Sequence, residues 1–163
     1  MTSRLEQLEA RLRELDSRAP ASQERVDLLL ELAEEHFSGD DPQRLEELTH
    51  EALALSRELD YDKGKAYGLW YESLGCCFTA HHEEGLHKID EAHDRFEALD
   101  DDFWSAKAVM LKANILRSIG EFDRALPGLY ESLEFFKRVG QPYWAANTYY
   151  SLGLLYHCLL YTS

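Results

Sequence analysis

A repeat period of 40 residues constrains this chain more than any other feature of its sequence. Shifting the sequence by 40 positions brings similar residues into register along most of its length. The matching columns are Val26, Ala66, Ala106 and Ala146; Leu29, Leu69, Val109 and Tyr149; and the small residues Ala33, Ser73, Ala113 and Gly153. A fixed period of this size indicates an array of stacked units, because a single unit cannot bury its own apolar face.

Each period is predicted to contain two helices. Leu, Ala, Glu and Arg recur at helical spacing, and the chain has only 4 prolines and 9 glycines. Turn signals separate the helices, among them Asp41-Pro42, Gly120, Gly140 and Gln141-Pro142. The predicted helices span 3–17, 21–37, 42–59, 63–79, 84–99, 103–119, 122–139 and 142–160.

The last two units carry a recognisable order of residues. Ala113 lies in a first helix, Gly120 and Phe122 mark the turn, and Ala125 begins a second helix. Leu152-Gly153 and Tyr156 follow the order Leu-Gly-x-x-Tyr. In these features the chain resembles the tetratricopeptide repeat (TPR) family, in the long-repeat form found in bacterial signalling proteins. HEAT and armadillo repeats are the alternative. TPR units usually have 34 residues, whereas HEAT and armadillo units have about 40–47, which is nearer to the period of this chain.

The predicted fold class is therefore all-α, a right-handed α-solenoid of antiparallel helix hairpins. Residues 1–20 are predicted to form an amphipathic capping helix, and residues 21–163 to form the repeats. The units are expected at about 22–61, 62–101, 102–141 and, as a partial unit, 142–163.

The resemblance implies a binding groove on the concave face, lined by the first helix of each unit. The positions that match it are Tyr67, Trp70, Lys107, Met110, Asn114, Arg117, Trp144, Asn147, Tyr150 and His157. Aromatic anchors beside hydrogen-bonding groups suit a peptide ligand. Leu74, Cys77 and Leu154 also match groove positions. For Leu74, Met110 and Leu154, core packing is the alternative role. Lys107, Asn114, Arg117 and Asn147 are similar in kind to the family's carboxylate clamp, although Lys and Asn are not at its usual positions.

Composition and charge exclude several classes of function. The net charge of −14 disfavours nucleic acid and anionic membrane surfaces. The N-terminus has no apolar signal segment, no run of eighteen apolar residues occurs, and three cysteines suit no disulfide framework. We therefore expect a cytoplasmic protein. The sequence has no nucleotide-binding or nucleophile motif, so we expect neither an enzyme nor a cofactor.

Histidines near residues 81–93 raise the question of a metal site. His82, His87 and Glu91 are the candidate ligands, since His87 and Glu91 stand four residues apart on a helix. The run lacks a metal-binding motif and lies at a polar turn. A solvated loop with incidental histidines is the favoured interpretation, and no metal is assigned.

The two ends of the chain carry apolar surface. Leu5, Leu8, Leu12 and Leu15 form a helical stripe, which could cap the array or form a dimer seam. The last unit stops after its first helix, so we expect no second helix to cover its apolar side chains. These are Tyr149, Leu152, Leu155, Tyr156 and Leu159. We therefore expect self-association through the exposed C-terminal face or the N-terminal helix.

The leading functional hypothesis is a protein- or peptide-binding scaffold, the N-terminal sensing or docking piece of a larger cytoplasmic signalling protein. The alternative is a ligand-sensing regulator that holds a small molecule or signal peptide in its concave groove. In that case Tyr67, Trp70 and Trp144 would line a closed pocket.

Overall fold

The computed structural model describes residues 3–37 and 41–162. Within these residues the chain folds into eight helices and no strands, which confirms the predicted all-α class. The helices are α1 (Arg4–Arg18), α2 (Gln23–Phe37), α3 (Pro42–Glu58), α4 (Asp62–Phe78), α5 (His82–Ala98), α6 (Asp102–Ser118), α7 (Phe122–Arg138) and α8 (Pro142–Thr162). Their bounds agree with the predicted bounds to within two residues.

The turns reveal a finer repeat than the one seen in the sequence. A residue with positive φ ends each helix from α3 to α7, and these residues recur at every twentieth position. They are Asp60 (50°), Ala80 (59°), Asp100 (54°), Gly120 (82°) and Gly140 (69°). The next residue closes each turn with a bond back into the helix, as Glu121 N–H donates to Leu116 O at 2.9 Å. Each 40-residue period thus contains two helices of 17 residues and two turns of the same geometry.

Side-chain caps fix where several helices begin. The Asp41 carboxylate accepts from Arg44 N–H at 3.0 Å, and the Asp101 carboxylate accepts from Trp104 N–H at 3.1 Å. Ser3 and Glu6 form a reciprocal capping box at the start of α1. Each cap satisfies a backbone donor that the first turn of a helix leaves unpaired, which is worth about 1 kcal/mol.

The chain divides into two compact units inside α4, with Met1–Gly75 in the first and Cys76–Ser163 in the second. In the first unit Leu8, Leu12 and Leu15 of α1 are buried, and α1 packs on α2. The predicted leucine stripe is therefore used in packing within the chain. It leaves no row of exposed leucines for a dimer seam.

One hydrophobic core of the second unit is built by α6, α7 and α8. Its centre is aromatic: Phe136 is fully buried, with ring centroids 5.9 Å from Phe103 and 6.0 Å from Trp144. Gly128 of α7 lets that helix approach α6 closely, because a Cβ added there would lie 3.3 Å from the Ala113 Cβ. The buried residues of this core are Ala106, Met110, Ala113, Leu116, Ala125, Leu129, Leu133, Phe136, Ala145, Leu152 and Leu155.

Candidate functional site

The predicted groove residues of the first unit lie in or beside its core. Trp70 is 3% exposed, and its ring lies edge-on to those of Tyr71, at 5.1 Å, and Phe37, at 6.5 Å. Tyr67 is half-buried, with the Lys63 ammonium 5.9 Å from its ring centroid. Trp70 is therefore a packing residue, and of these two only Tyr67 reaches the surface.

Lys107 is buried in a cage of aromatic rings in the second unit. Its side chain is 3% exposed, and Nζ lies 3.2 Å from the Trp104 ring centroid and 4.4 Å from that of Trp144. A third ring, that of Phe103, lies 5.9 Å from Nζ. A desolvated cation over an aromatic face gains about 2 kcal/mol or more. Lys107 therefore ties α6 to α8, and its ammonium is not presented to a ligand as a carboxylate clamp would require.

Met110 and Trp144 also belong to the contact between α6 and α8. Met110 is 7% exposed, and the Thr148 hydroxyl donates to its sulfur at 3.3 Å. Trp144 is half-buried against Phe103 and Phe136. Burial of these side chains leaves the groove contacts of the second unit to the remaining predicted residues.

The remaining predicted residues lie on two helices that contact each other, and we call them the α6–α8 groove: Asn114 and Arg117 on α6, and Asn147, Tyr150 and His157 on α8. The first three are half-buried, and the two aromatic residues are exposed. The His157 ring lies 4.7 Å from the Tyr161 ring. Arg117 Nε is buried and has no hydrogen-bond partner within the described part of the chain. An unsatisfied buried donor costs about 1–3 kcal/mol, so a ligand oxygen at this point would recover that energy.

Beyond the groove, α8 presents a broad apolar surface. Its 21 residues, Pro142–Thr162, include no Asp, Glu, Lys or Arg. The α8 face comprises the exposed residues Tyr143, Ala146, Tyr149, Tyr150, Gly153, Tyr156, His157, Leu160 and Tyr161. Its five tyrosines and Leu160 are between 44% and 79% exposed. Despite this composition, no helix in the described residues is long and apolar enough to cross a membrane.

The sequence-based expectation for this end was right for some residues and wrong for others. Tyr149 and Tyr156 are exposed, as expected, and Leu159 is half-buried. Leu152 is 5% exposed and Leu155 is fully buried, so neither lies bare. The two leucines and the tyrosines lie on different sides of α8. The leucines belong to the core that α8 shares with α6 and α7, and the tyrosines do not.

A hydrogen-bonded pair of phenols extends the α8 face onto α7. The Tyr130 and Tyr156 hydroxyls lie 2.8 Å apart, and Tyr130 is 45% exposed. The hydrogen bond with Tyr130 raises the pKa of Tyr156 above its ordinary value, because it stabilises the protonated phenol. Sequence reasoning did not find this pair, since the two residues lie on different helices.

The predicted metal ligands are not brought together. Glu91 accepts from Arg95 at 2.9 Å, and His87 is exposed. Within the described residues, the group whose ligand atoms could share an ion is instead His93, Asp94 and Glu97 on α5, with those atoms within 4.8 Å of one another. Burial raises the pKa of the Cys77 thiol on α4 to about 11, which disfavours a thiolate ligand or nucleophile there.

A cavity of about 220 Å³ lies between α5, α6 and α7. Both signs of charge line it: the Lys112 ammonium lies 2.7 Å from the Asp90 carboxylate, and Arg124 and Glu131 stand at the other side. Its floor is apolar, formed by Ile89, Ala108, Val109, Ala113 and Leu116. Its lining residues come from three helices and share no sequence motif that could mark this place.

Comparison with known proteins supports the fold and leaves the family open. No protein-family model matches the sequence, and no curated protein sequence matches it. Among solved structures, the chain is similar to the crystal structure of BtubC (BKLC) from P. vanneervenii, with a TM-score of 0.70 and 20% sequence identity. The alignment covers 96% of this chain and 67% of that chain. The two proteins therefore share a fold, and the TPR resemblance of this chain stays a prediction.

Proposed function

We propose that this chain is a protein- or peptide-binding scaffold, which binds through the α8 face and the adjoining α6–α8 groove and carries out no catalysis. In this proposal it is a cytoplasmic protein of TPR type, and it serves as the sensing or docking part of a larger signalling protein. The observation that carries the proposal is the composition of α8: a 21-residue helix without a charged side chain exposes five tyrosines and a leucine.

Such a surface is costly to leave in water. Contiguous exposed apolar patches of more than a few hundred Å² mark interaction sites in soluble proteins. Tyrosine is among the residues that dominate binding energy, since its ring buries a large area and its hydroxyl keeps a polar contact. The α8 face offers this chemistry on a rigid helix that is anchored on its other side by Leu152 and Leu155.

Polar residues of the α6–α8 groove would fix the orientation of a peptide that the apolar α8 face attracts. Arg117 carries a buried donor that lacks an acceptor among the described residues. Asn114 on α6 and Asn147 on α8 are half-buried amides. A peptide carbonyl or carboxylate that reaches Arg117 would satisfy it. Few polar contacts beside a large apolar area are the usual composition of a peptide groove.

Selection from a displayed library of random peptides tests the proposal. The immobilised full chain should enrich peptides whose affinity, measured by fluorescence anisotropy, falls at least tenfold in Tyr150→Ala and in Arg117→Gln. The control is Leu99→Ala, which removes a 40% exposed apolar side chain at the end of α5. Failure to enrich any peptide, or equal affinity in all variants, would contradict the assignment.

A small-ligand sensor is the second candidate, and the cavity between α5, α6 and α7 favours it. Lys112 and Arg124 could hold a carboxylate there, while Glu131 could hold an amine. Thermal unfolding with and without a panel of amino acids would measure this binding. The sensor hypothesis predicts a rise in melting temperature that Arg124→Gln abolishes; no rise with any compound of this class would dismiss it.

A further inference from the structure

We propose that a second copy of this chain docks on the α8 face, with the two α8 helices antiparallel and related by a twofold axis at Gly153. This inference rests on the proposed function, because it names one partner for the same surface. It is carried by three features of the face, namely its register, its lack of charge and its area.

Gly153 lies near the centre of the α8 face, both along the helix axis and around it. At 3.6 residues per turn, Ala146 and Leu160 fall within about 20° of the same line along the helix. The flanking aromatic residues fall within about 60° of that line, and they are Tyr149, Tyr150, Tyr156 and His157. A Cβ added at Gly153 would meet no atom within 4 Å, so the centre of the face is open to close approach by another backbone.

A twofold axis at Gly153 makes the face complementary to itself. Ala146 then lies opposite Leu160 of the second copy, so a small side chain meets a large one. Tyr149 lies opposite the second copy's Tyr156, and Tyr150 opposite its His157, because the axis keeps each residue on its own side of the Gly153 line. Aromatic rings in such pairs gain about 0.5–1.5 kcal/mol beyond the area that they bury. Isologous twofold dimers are also the commonest form of protein oligomer.

Charge favours this face as the place where two copies meet. The chain carries a net charge of −14, so two copies repel each other across most of their surfaces. The α8 face has no acidic or basic residue other than His157, and contact there brings no pair of like charges together. A charged partner would find no complementary charge on this helix.

The area of the face is close to what a stable dimer needs. With about 200 Å² for a whole tyrosine side chain, the exposed tyrosines and Leu160 would bury roughly 600–750 Å² per copy if fully covered. Specific interfaces bury about 800 Å² per partner. The Leu stripe of α1 does not compete for this role, because Leu8, Leu12 and Leu15 are buried within the chain.

Sedimentation equilibrium of the full chain tests the proposal directly. The expected result is a concentration-dependent dimer in the micromolar range and a monomer for Gly153→Arg, in which two arginines would meet at the axis. The helix itself tolerates this change, since the site is exposed and Arg is a better helix former than Gly. Ala98→Arg, at an exposed position of α5, adds the same charge away from the face and should stay dimeric.

The outcomes separate this inference from the proposed function. A wild-type chain that remains monomeric up to about 1 mM, which corresponds to a binding free energy weaker than about −4 kcal/mol, overturns the second copy as partner. Binding of a library-selected peptide to that monomer would leave the proposed function standing. A dimer that survives Gly153→Arg unchanged also overturns the proposal, because the axis then lies elsewhere.

A charge-pair exchange tests the register. Tyr149→Lys and Tyr156→Glu should each give a monomer, and the double variant should recover the dimer, because each new lysine would meet the new glutamate of the other copy. The two positions are seven residues apart, beyond the three- or four-residue spacing at which side chains pair within one helix. Circular dichroism confirms that each variant is folded, and a double variant that stays monomeric rejects this register.

Discussion

The helices α6 and α8 occupy equivalent places in the repeat but have opposite surroundings. Ala106 and Ala113 of α6 are buried against α7: Gly128 lies against Ala113, and the Ser132 hydroxyl donates to Ala106 O at 3.2 Å. The equivalent residues of α8, Ala146 and Gly153, are exposed. Small residues at the same repeat positions are therefore packed against a neighbouring helix in α6 and exposed on the surface in α8. A repeat pattern therefore specifies which face of a helix is suited to packing. Whether that face is packed depends on whether another helix lies against it.

The composition of the two helices follows the same division. α6 includes charged residues, one of which, Lys107, is enclosed by rings from both helices. α8 has none and presents tyrosine in the places where α6 has Val109 and Leu116. Tyrosine tolerates both water and a protein partner, since its hydroxyl can bond to either. This substitution is the feature that most distinguishes α8 from a repeat helix buried on both sides.

The largest expected difference in the free energy of unfolding is between substitutions on the buried and on the exposed side of α8. Leu155→Ala should lower the free energy of unfolding by about 2–5 kcal/mol, because Leu155 is fully buried and its removal leaves a cavity. Leu160→Ala should change it by less than about 0.5 kcal/mol, since Leu160 is 77% exposed. Urea denaturation of the dilute chain measures both. Equal losses in the two variants would mean that α8 is covered on both sides.

Substitution of equivalent small residues tests the difference between α6 and α8. Ala113→Leu should destabilise the chain by about 1–3 kcal/mol, because the larger side chain would press against α7 at Gly128. Gly153→Leu should cause no loss, as the space around it is open. The comparison of melting temperatures is decisive here: an unchanged value for Ala113→Leu would place the contact with α7 elsewhere.

Glycine-to-alanine changes should have opposite signs at a turn and on the face. Gly120→Ala should cost about 1 kcal/mol, because its φ of 82° is unfavourable for a residue with a Cβ. Gly153→Ala should gain about 0.5–1 kcal/mol, because alanine is the better residue inside a helix. Both are measured by denaturation below the concentration at which the chain self-associates. A gain at position 120 would contradict the turn geometry.

The smallest effect concerns the phenol pair between α7 and α8. Tyr130→Phe should lower the pKa of Tyr156, because it removes the hydrogen bond that holds the proton. A pKa raised on folding contributes stability below the unfolded pKa, and this contribution is lost as the pH rises through the folded value. The wild type should therefore lose more stability than Tyr130→Phe at alkaline pH. Ultraviolet titration reads the pKa; Tyr150→Phe is the control, and a shift equal to that of Tyr130→Phe would argue against the pair.

Sequence reasoning found the candidate site only in outline. The 40-residue period located α8 and its exposed Tyr149 and Tyr156, because a periodic pattern shows which residues share a helix face. It assigned Lys107 to a groove, whereas the structure buries Lys107 between Trp104 and Trp144. The cage unites residues 40 positions apart whose side-chain directions depend on how two helices pack. Such a contact leaves no local signal.

The sequence by itself determined the helices, their ends and the small-residue column of this protein. These features depend on local interactions, such as the caps of Asp41 and Asp101 and the left-handed turn at Gly120, and local interactions are set by neighbours along the chain. The tertiary structure decided which equivalent faces are covered. Leu155 is buried and Leu160 is exposed although they lie five residues apart on one helix, because burial depends on residues that are distant in sequence.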